Sequence, residues 1–139
     1  MSAADLAALH ARCFVVPRPF TADEITGFLA DASCFLIGDA EGFALGRAIL
    51  DEAELLTLAV DPTQRRKGLG RRLMQEFEAE AAKRGAVQAY LEVASGNAAG
   101  IALYQSVGFA EVGRRTAYYR STGGEGQDAI VMQKLLNSA

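Results

Sequence analysis

Three groups of residues have types and spacings suited to chemistry. Arg65, Arg66, Lys67, Arg71 and Arg72 crowd around Gly68, Leu69 and Gly70, where a strand-like stretch ending at Val60 gives way to a helical one. Glu92 lies on the polar side of the alternating stretch "AVQAYLEVA", shortly before Asn97. Tyr104 follows in the next helical stretch, between Leu103 and Val107. The first group can grip an anion: backbone N–H groups opening a helix lack intrahelical partners and carry the positive end of its dipole. Glycines there let the main chain approach a ligand, and the cations reinforce the grip. A carboxylate such as Glu92 is either a general base or the partner of a nearby cation. A phenol between two apolar residues is ordinarily a core side chain with its hydroxyl at the edge.

The anion pattern is neither G-x-x-x-x-G-K-S/T nor G-x-G-x-x-G; it reads R-x-x-G-x-G. Taken alone, so short a pattern also fits a solvated basic first turn. The whole chain, 139 residues with net charge -3, is acidic around this one basic turn. That balance points to a small polyanion and away from nucleic acid. Cys13 and Cys34 match no metal spacing, and the single histidine, His10, is expected at or near the surface, so no metal site is expected. Free thiols fit a reducing cytoplasm. The start "MSAADLAALHARC" has an early acid and no basic-then-apolar block, so no signal peptide is expected, and no run suggests a membrane span.

The elements that must hold these groups follow from periodicity. Leu6, Leu9, Cys13 and Phe14 recur at helical spacing. "TADE", Thr21 to Glu24, is a capping box opening a second helix through about Leu29. Two apolar runs around Gly38–Gly42 predict a hairpin with a loop of several residues, and Glu54 to Val60 a third strand. Leu69, Leu73, Phe77 and Ala81 form one helical stripe stopped at Gly85. Val87, Ala89, Leu91 and Val93 face one way on the next strand. A helix closed by Gly108 and two more strands, around Phe109–Tyr119 and Ala129–Leu135, complete the order. This α-α-β-β-β-α-β-α-β-β order predicts an α/β (α+β mixed) fold, a central mixed sheet flanked by helices, as a single domain over 1–139.

"LLTLAVDPTQRRKGLGRRLM", "LEVASGNAAGIALYQSVGFAEVGRRTAYY" and "DAIVM" together resemble the GNAT superfamily of acetyl-CoA-dependent N-acetyltransferases. The similarity runs from about Asp51 to Leu136 and is greatest to the bacterial branch that acetylates the N-terminal alanine of a ribosomal protein. It implies the GNAT fold, acetyl-CoA as cosubstrate without a metal, and a protein N-terminus as acceptor, with no direct nucleic acid or membrane partner. Leu58, Ala59 and Val60 would offer strand backbone to the pantetheine arm. Arg65, Arg66, Lys67, Gly68, Leu69, Gly70 and Arg71 would cradle the pyrophosphate, and Asn97 would bond the arm. Glu92 would act as base and Tyr104 as acid in a direct transfer, with Tyr118 and Tyr119 on the acceptor side near Asp128. Two positions depart from the branch: Phe20 where a Pro-Trp pair is common, and Ala94 where arginine is frequent. A small-molecule amine is therefore the alternative acceptor. Deprotonating an α-amine of pKa about 8 at pH 7 costs about 1.4 kcal/mol, against about 4.6 for lysine, so a carboxylate base suits the α-amine. Glu52 and Glu54 read as a solvated turn and strand edge.

Overall fold

The computed structural model describes residues 2–14, 18–65, 67–119 and 126–136. Two short helices come first: α1 (Ala3–Cys13) and α2 (Ala22–Ala30). Each is opened by a reciprocal capping box, Ser2 with Asp5 and Thr21 with Glu24. Their serine or threonine oxygens satisfy an orphan N–H that would otherwise face water. Then come β1 (Cys34–Asp39), β2 (Gly42–Ile49) and β3 (Glu52–Val60). The hairpin is tighter than its glycine-rich sequence suggests: Asp39 pairs with Gly42, leaving a two-residue turn, Ala40-Glu41. After a 3₁₀ turn (Pro62–Gln64) come α3 (Leu69–Lys83), β4 (Gln88–Ala94), α4 (Ala98–Ser106), β5 (Ala110–Tyr119) and β6 (Gln127–Leu135). Gly85 ends α3 with φ +98°, the left-handed stop expected of it. Val87 precedes β4 and is exposed, so the inward face begins at Ala89.

One six-stranded sheet has the order β1-β2-β3-β4-β6-β5. All its pairings are antiparallel except β3 with β4, which α3 joins by a crossover. That parallel pair is short. It runs from Glu52↔Gln88 to Leu55↔Leu91 and stops, although β3 continues to Val60 and β4 to Ala94. Beyond Leu55 the two strands part, leaving a gap in the middle of the sheet.

A bulge sits where they part. β2 register moves from Leu45↔Thr57 to Gly46↔Leu55, passing over Leu56. An extra residue reverses the alternation of a strand. Accordingly Ala53 and Leu55 pack into the core under α3, whereas beyond the bulge Leu58 and Val60 do so and Ala59 joins the opposite core. The α3–α4 core centres on Phe77, Leu73, Met74, Leu91 and Met132; the other packs Leu6, Leu9 and Ile25 of α1 and α2 on Phe43, Leu45 and Ala59. Each fully buried Phe or Leu contributes about 1.5–3 kcal/mol, so both faces hold the sheet firmly around its gap. Among the described residues, no helix is long and apolar enough to cross a membrane.

Candidate active site

A cavity of about 870 Å³ opens where β3 and β4 separate. Leu58 and Val60 form its β3 wall, Ala94 and Gly96 the end of β4, Gly68 to Arg71 the mouth of α3, and Asn97, Leu103 and Tyr104 the α4 wall. The open strand edges leave peptide groups without a ladder partner across the gap, so an extended ligand can pair with them.

Gly68 is the N-cap of α3 at φ +79°, ψ 6°, a left-handed conformation that an L side chain adopts only with strain. It supplies no side-chain cap, and the first bond of the helix is Arg72 N–H to the Gly68 carbonyl, 3.1 Å. Among the described residues, nothing accepts from the N–H groups of Leu69, Gly70 and Arg71. A cradle of free amides therefore faces the cavity. Arg65 and Arg71 flank it, their guanidiniums on the Val60 carbonyl (3.3 Å) and the Ser106 carbonyl (3.4 Å). A diphosphate with a narrow arm fits this donor set and volume. Gly70 brings α3 against α4: a Cβ there would stand 3.0 Å from Leu103 Cδ2.

Other expected residues fall in different places. Ala59 is buried on the opposite face, because the strand alternates, so only its backbone could serve a ligand in the gap. Lys67 is exposed and outside the cavity wall, and Arg66 lies outside the described residues. Asn97 caps α4, its Oδ1 accepting from the Gly100 N–H at 2.9 Å, which leaves the amide NH₂ for a ligand. Tyr104 lines the cavity with its ring buried against Phe109, and burial pushes its phenol pKa up, keeping the proton on oxygen.

Glu92 is on the other face. Ala89, Leu91 and Val93 point under α3, so Tyr90 and Glu92 point toward the side that carries α1 and α2. There Arg115 bridges Glu92 at 3.2 Å and lies over the Tyr118 ring, 5.0 Å from its centroid. Tyr118 and Tyr119 meet edge to face at 5.3 Å. Burial, then the charge of Glu92, raises the Tyr119 pKa to about 12. Glu92 thus has a cation partner, and it is the first residue of β4 beyond the pairing with β3. Asp128 is structural, accepting from the Ala117 N–H (2.9 Å) and pairing with Arg114 (3.2 Å), which holds Ala117 at φ +49° in a bulge of β5.

Two expectations are corrected. Glu54 is no solvated edge: β3 lies mid-sheet, and Glu54 pairs with Arg47 at 2.8 Å beside the Tyr90 hydroxyl. His10 is 1% exposed, stacked on Phe14 and Phe20 at 4.4 and 4.7 Å. Its Nδ1 accepts from the Phe20 N–H at 2.9 Å, which places the proton on Nε2, donated to Thr57 Oγ1 at 2.8 Å. Desolvation lowers its pKa to about 4. Sequence reasoning also missed Cys13 and Phe14 of the α1 end and Gln127 of β6, which line the cavity by tertiary packing and carry no local signal. Gly100 was findable, three residues from Asn97 and four from Tyr104 on one helix face.

Comparison with known proteins identifies the family and the fold. The model of the acetyltransferase (GNAT) family matches residues 3–109. The chain is 47% identical over 95 residues to the ribosomal protein bS18-alanine N-acetyltransferase of Escherichia coli (strain K12), an alignment spanning 68% of this chain and 64% of that one. It is 44% identical over 99 residues, 71% of this chain and 59% of the other, to the N-alpha-acetyltransferase RimI of Mycobacterium tuberculosis. The chain thus spans a little under two thirds of the length of these relatives. The crystal structure of the ribosomal-protein-S18-alanine N-acetyltransferase from Escherichia coli superposes with TM-score 0.85 and 33% identity, over 99% of this chain and 89% of that one.

Proposed function

The chain belongs to the GNAT acetyltransferase family, and from that premise we propose that it moves the acetyl group of acetyl-CoA onto the N-terminal α-amine of a protein, a ribosomal protein's N-terminal alanine being the leading acceptor. The observation that carries this reading is the two-sided gap: a cavity with a free-amide cradle on the α3 side, and a carboxylate at the same gap on the α1–α2 side. Donor and acceptor approach from opposite faces and meet where β3 and β4 part. Cytoplasmic action goes with such an acceptor.

Bound acetyl-CoA supplies the activated thioester. Leu58 and Val60 hold an extended arm along the β3 edge, while the amides of Leu69 to Arg71, with Arg65 and Arg71, hold the diphosphate. Glu92 takes a proton from the incoming ammonium, directly or through water, once that cation competes with Arg115 for its carboxylate. Tyr104 keeps its proton at neutral pH and gives it to the departing sulfur. The acylated nitrogen then sheds its second proton, which restores the Tyr104 phenol through water, and the proton taken by Glu92 passes to solvent as the one net proton released. Tyr118 and Tyr119 border the acceptor side. Neither Cys13 nor Cys34 has a covalent role. Incubation with acetyl-CoA and peptides beginning with Ala, Ser or Met, alongside free amines, read by mass spectrometry, tests the proposal. α-Acetylation of the Ala peptide is expected; turnover only of free amines, or of nothing, overturns it.

A further inference from the structure

His10 is a buried, ionisable side chain that the reaction above does not use, yet it ties two segments that border the gap to the entry of α2. Nε2 donates to Thr57, one residue before Leu58 in the cavity wall. Nδ1 accepts from the backbone of Phe20, at the entry to α2. Its ring stacks on Phe14, itself a cavity-lining residue, and on Phe20. Thr57 follows the bulge at Leu56, so it projects to the α1–α2 side, the side on which Glu92 stands. A rigid aromatic ring with one donor and one acceptor therefore ties the parted end of β3 to the segment that joins α1 and α2.

We infer that His10 is a positioning residue: by bridging Thr57 and the Phe20 amide, it fixes the α1–α2 rim of the acceptor entrance against the open edge of β3. Its action passes through Phe14, Phe20 and Thr57 and not through contact with reacting atoms. Among the described residues, none of the amides or arginines of the diphosphate cradle bonds to His10, Thr57 or Phe20. Losing the bridge should therefore weaken acceptor use more than coenzyme binding, which touches this bridge only through the cavity wall at Phe14 and Leu58. Thr57 offers a gentler handle than His10. Valine keeps its shape and removes the hydroxyl, whereas serine keeps the hydroxyl and removes a methyl group.

The inference rests on the acetyltransferase reading only for its kinetic arm, so the test has two arms on the 139-residue chain. First, amide exchange by NMR: Thr57→Val is expected to speed exchange of the Phe20 N–H about tenfold, because freeing Nε2 unlocks the ring whose Nδ1 protects that amide, and Thr57→Ser restores protection. Second, kinetics with an Ala-initiated peptide: Thr57→Val raises the acceptor KM about tenfold with kcat within about threefold, Thr57→Ser recovers most of it, and the calorimetric Kd for CoA stays within about twofold. Unchanged Phe20 exchange in Thr57→Val overturns the bridge. A parallel rise of the CoA Kd and the acceptor KM overturns the positioning role, because a general loosening does the same. If no variant and no wild-type protein acetylates any peptide, the functional reading falls while the exchange arm still decides the bridge.

Discussion

β3 and β4 form one parallel pair in two different halves. From Glu52 to Leu55 and from Gln88 to Leu91 they are zipped; from Leu56 and Glu92 onward they part. Each half carries a glutamate on the same face of the sheet, and each glutamate meets an arginine. In the zipped half Glu54 holds Arg47 at 2.8 Å with the Tyr90 hydroxyl nearby. In the parted half Glu92 holds Arg115 at 3.2 Å, and that arginine is 56% exposed and stacked on Tyr118. Two acid–arginine pairs alike in composition thus differ in the strand beside them: β3 and β4 are paired at Glu54 and parted at Glu92. What separates a structural acid from a candidate base here is the hydrogen-bond ladder next to it, not its residue type.

The sharpest way to break that contrast is to neutralise each acid in turn. Glu92→Gln should lower kcat about 10³-fold, the upper-middle range for loss of a general base, with CoA binding by calorimetry unchanged. Glu54→Gln should leave kcat within about threefold, because a partly exposed ion pair contributes at most about 1 kcal/mol. Equal losses in the two variants would erase the distinction between the halves.

The next effect concerns the side chain that pins the parted end of β3. His10 has a folded-state pKa of about 4, lowered by burial. The unfolded chain therefore binds the proton first: the stability tied to neutral His10 is present above about pH 6.5 and drains away as pH falls toward 4, on the order of 3 kcal/mol in all. Urea unfolding between pH 7.5 and 4.5 reads the loss. Because the chain has one histidine, a single imidazole resonance in untagged protein reads the pKa, and titration near 6.5 in the folded state would remove this account.

Tyr104→Phe comes third. The ring stays packed on Phe109 and only the hydroxyl is lost, so kcat should fall about 10²-fold with little change in thermal midpoint. A variant at full rate would assign the sulfur's proton to water.

These contrasts also explain how much could be read in the sequence. Element order, the start of α2 and the left-handed stop at Gly85 were legible, because caps and periodicity are local. "TADE" needs only its own four residues to act. The glycine-and-cation turn that opens α3 was legible as well, since its residues lie in one short run. The bulge at Leu56 was not: "ELLTLAV" alternates through it without a mark, and the reversal of faces exists only against β2. His10 was misplaced for the same reason. Its partners, Phe20 and Thr57, come from a second segment and a third, and no spacing within α1 announces them. Glu54 looked like an edge because sequence does not say which strand lies mid-sheet.

The smallest expected effects come from two glycines, one in each half. Gly46 sits beside the zipped pair, opposite Leu55, and a Cβ there would lie 2.6 Å from Phe35 Cζ and 2.8 Å from Phe77 Cε1. Gly46→Ala should cost about 1–3 kcal/mol of stability by overpacking, with the Kd for CoA unmoved. Gly68 stands at the mouth of the gap with open space around a Cβ but φ +79°. Gly68→Ala should cost about 1 kcal/mol through backbone strain alone, and relief of that strain turns the free amides of α3 away from the cavity. The Kd for CoA should then rise about fivefold, the equivalent of that same strain. The two variants therefore cross over, the zipped glycine losing more stability and the gap glycine losing affinity. Chemical unfolding paired with calorimetry decides it, and an affinity loss confined to Gly46→Ala would mean that the cradle is set by the core beneath the sheet and not by the turn that opens α3.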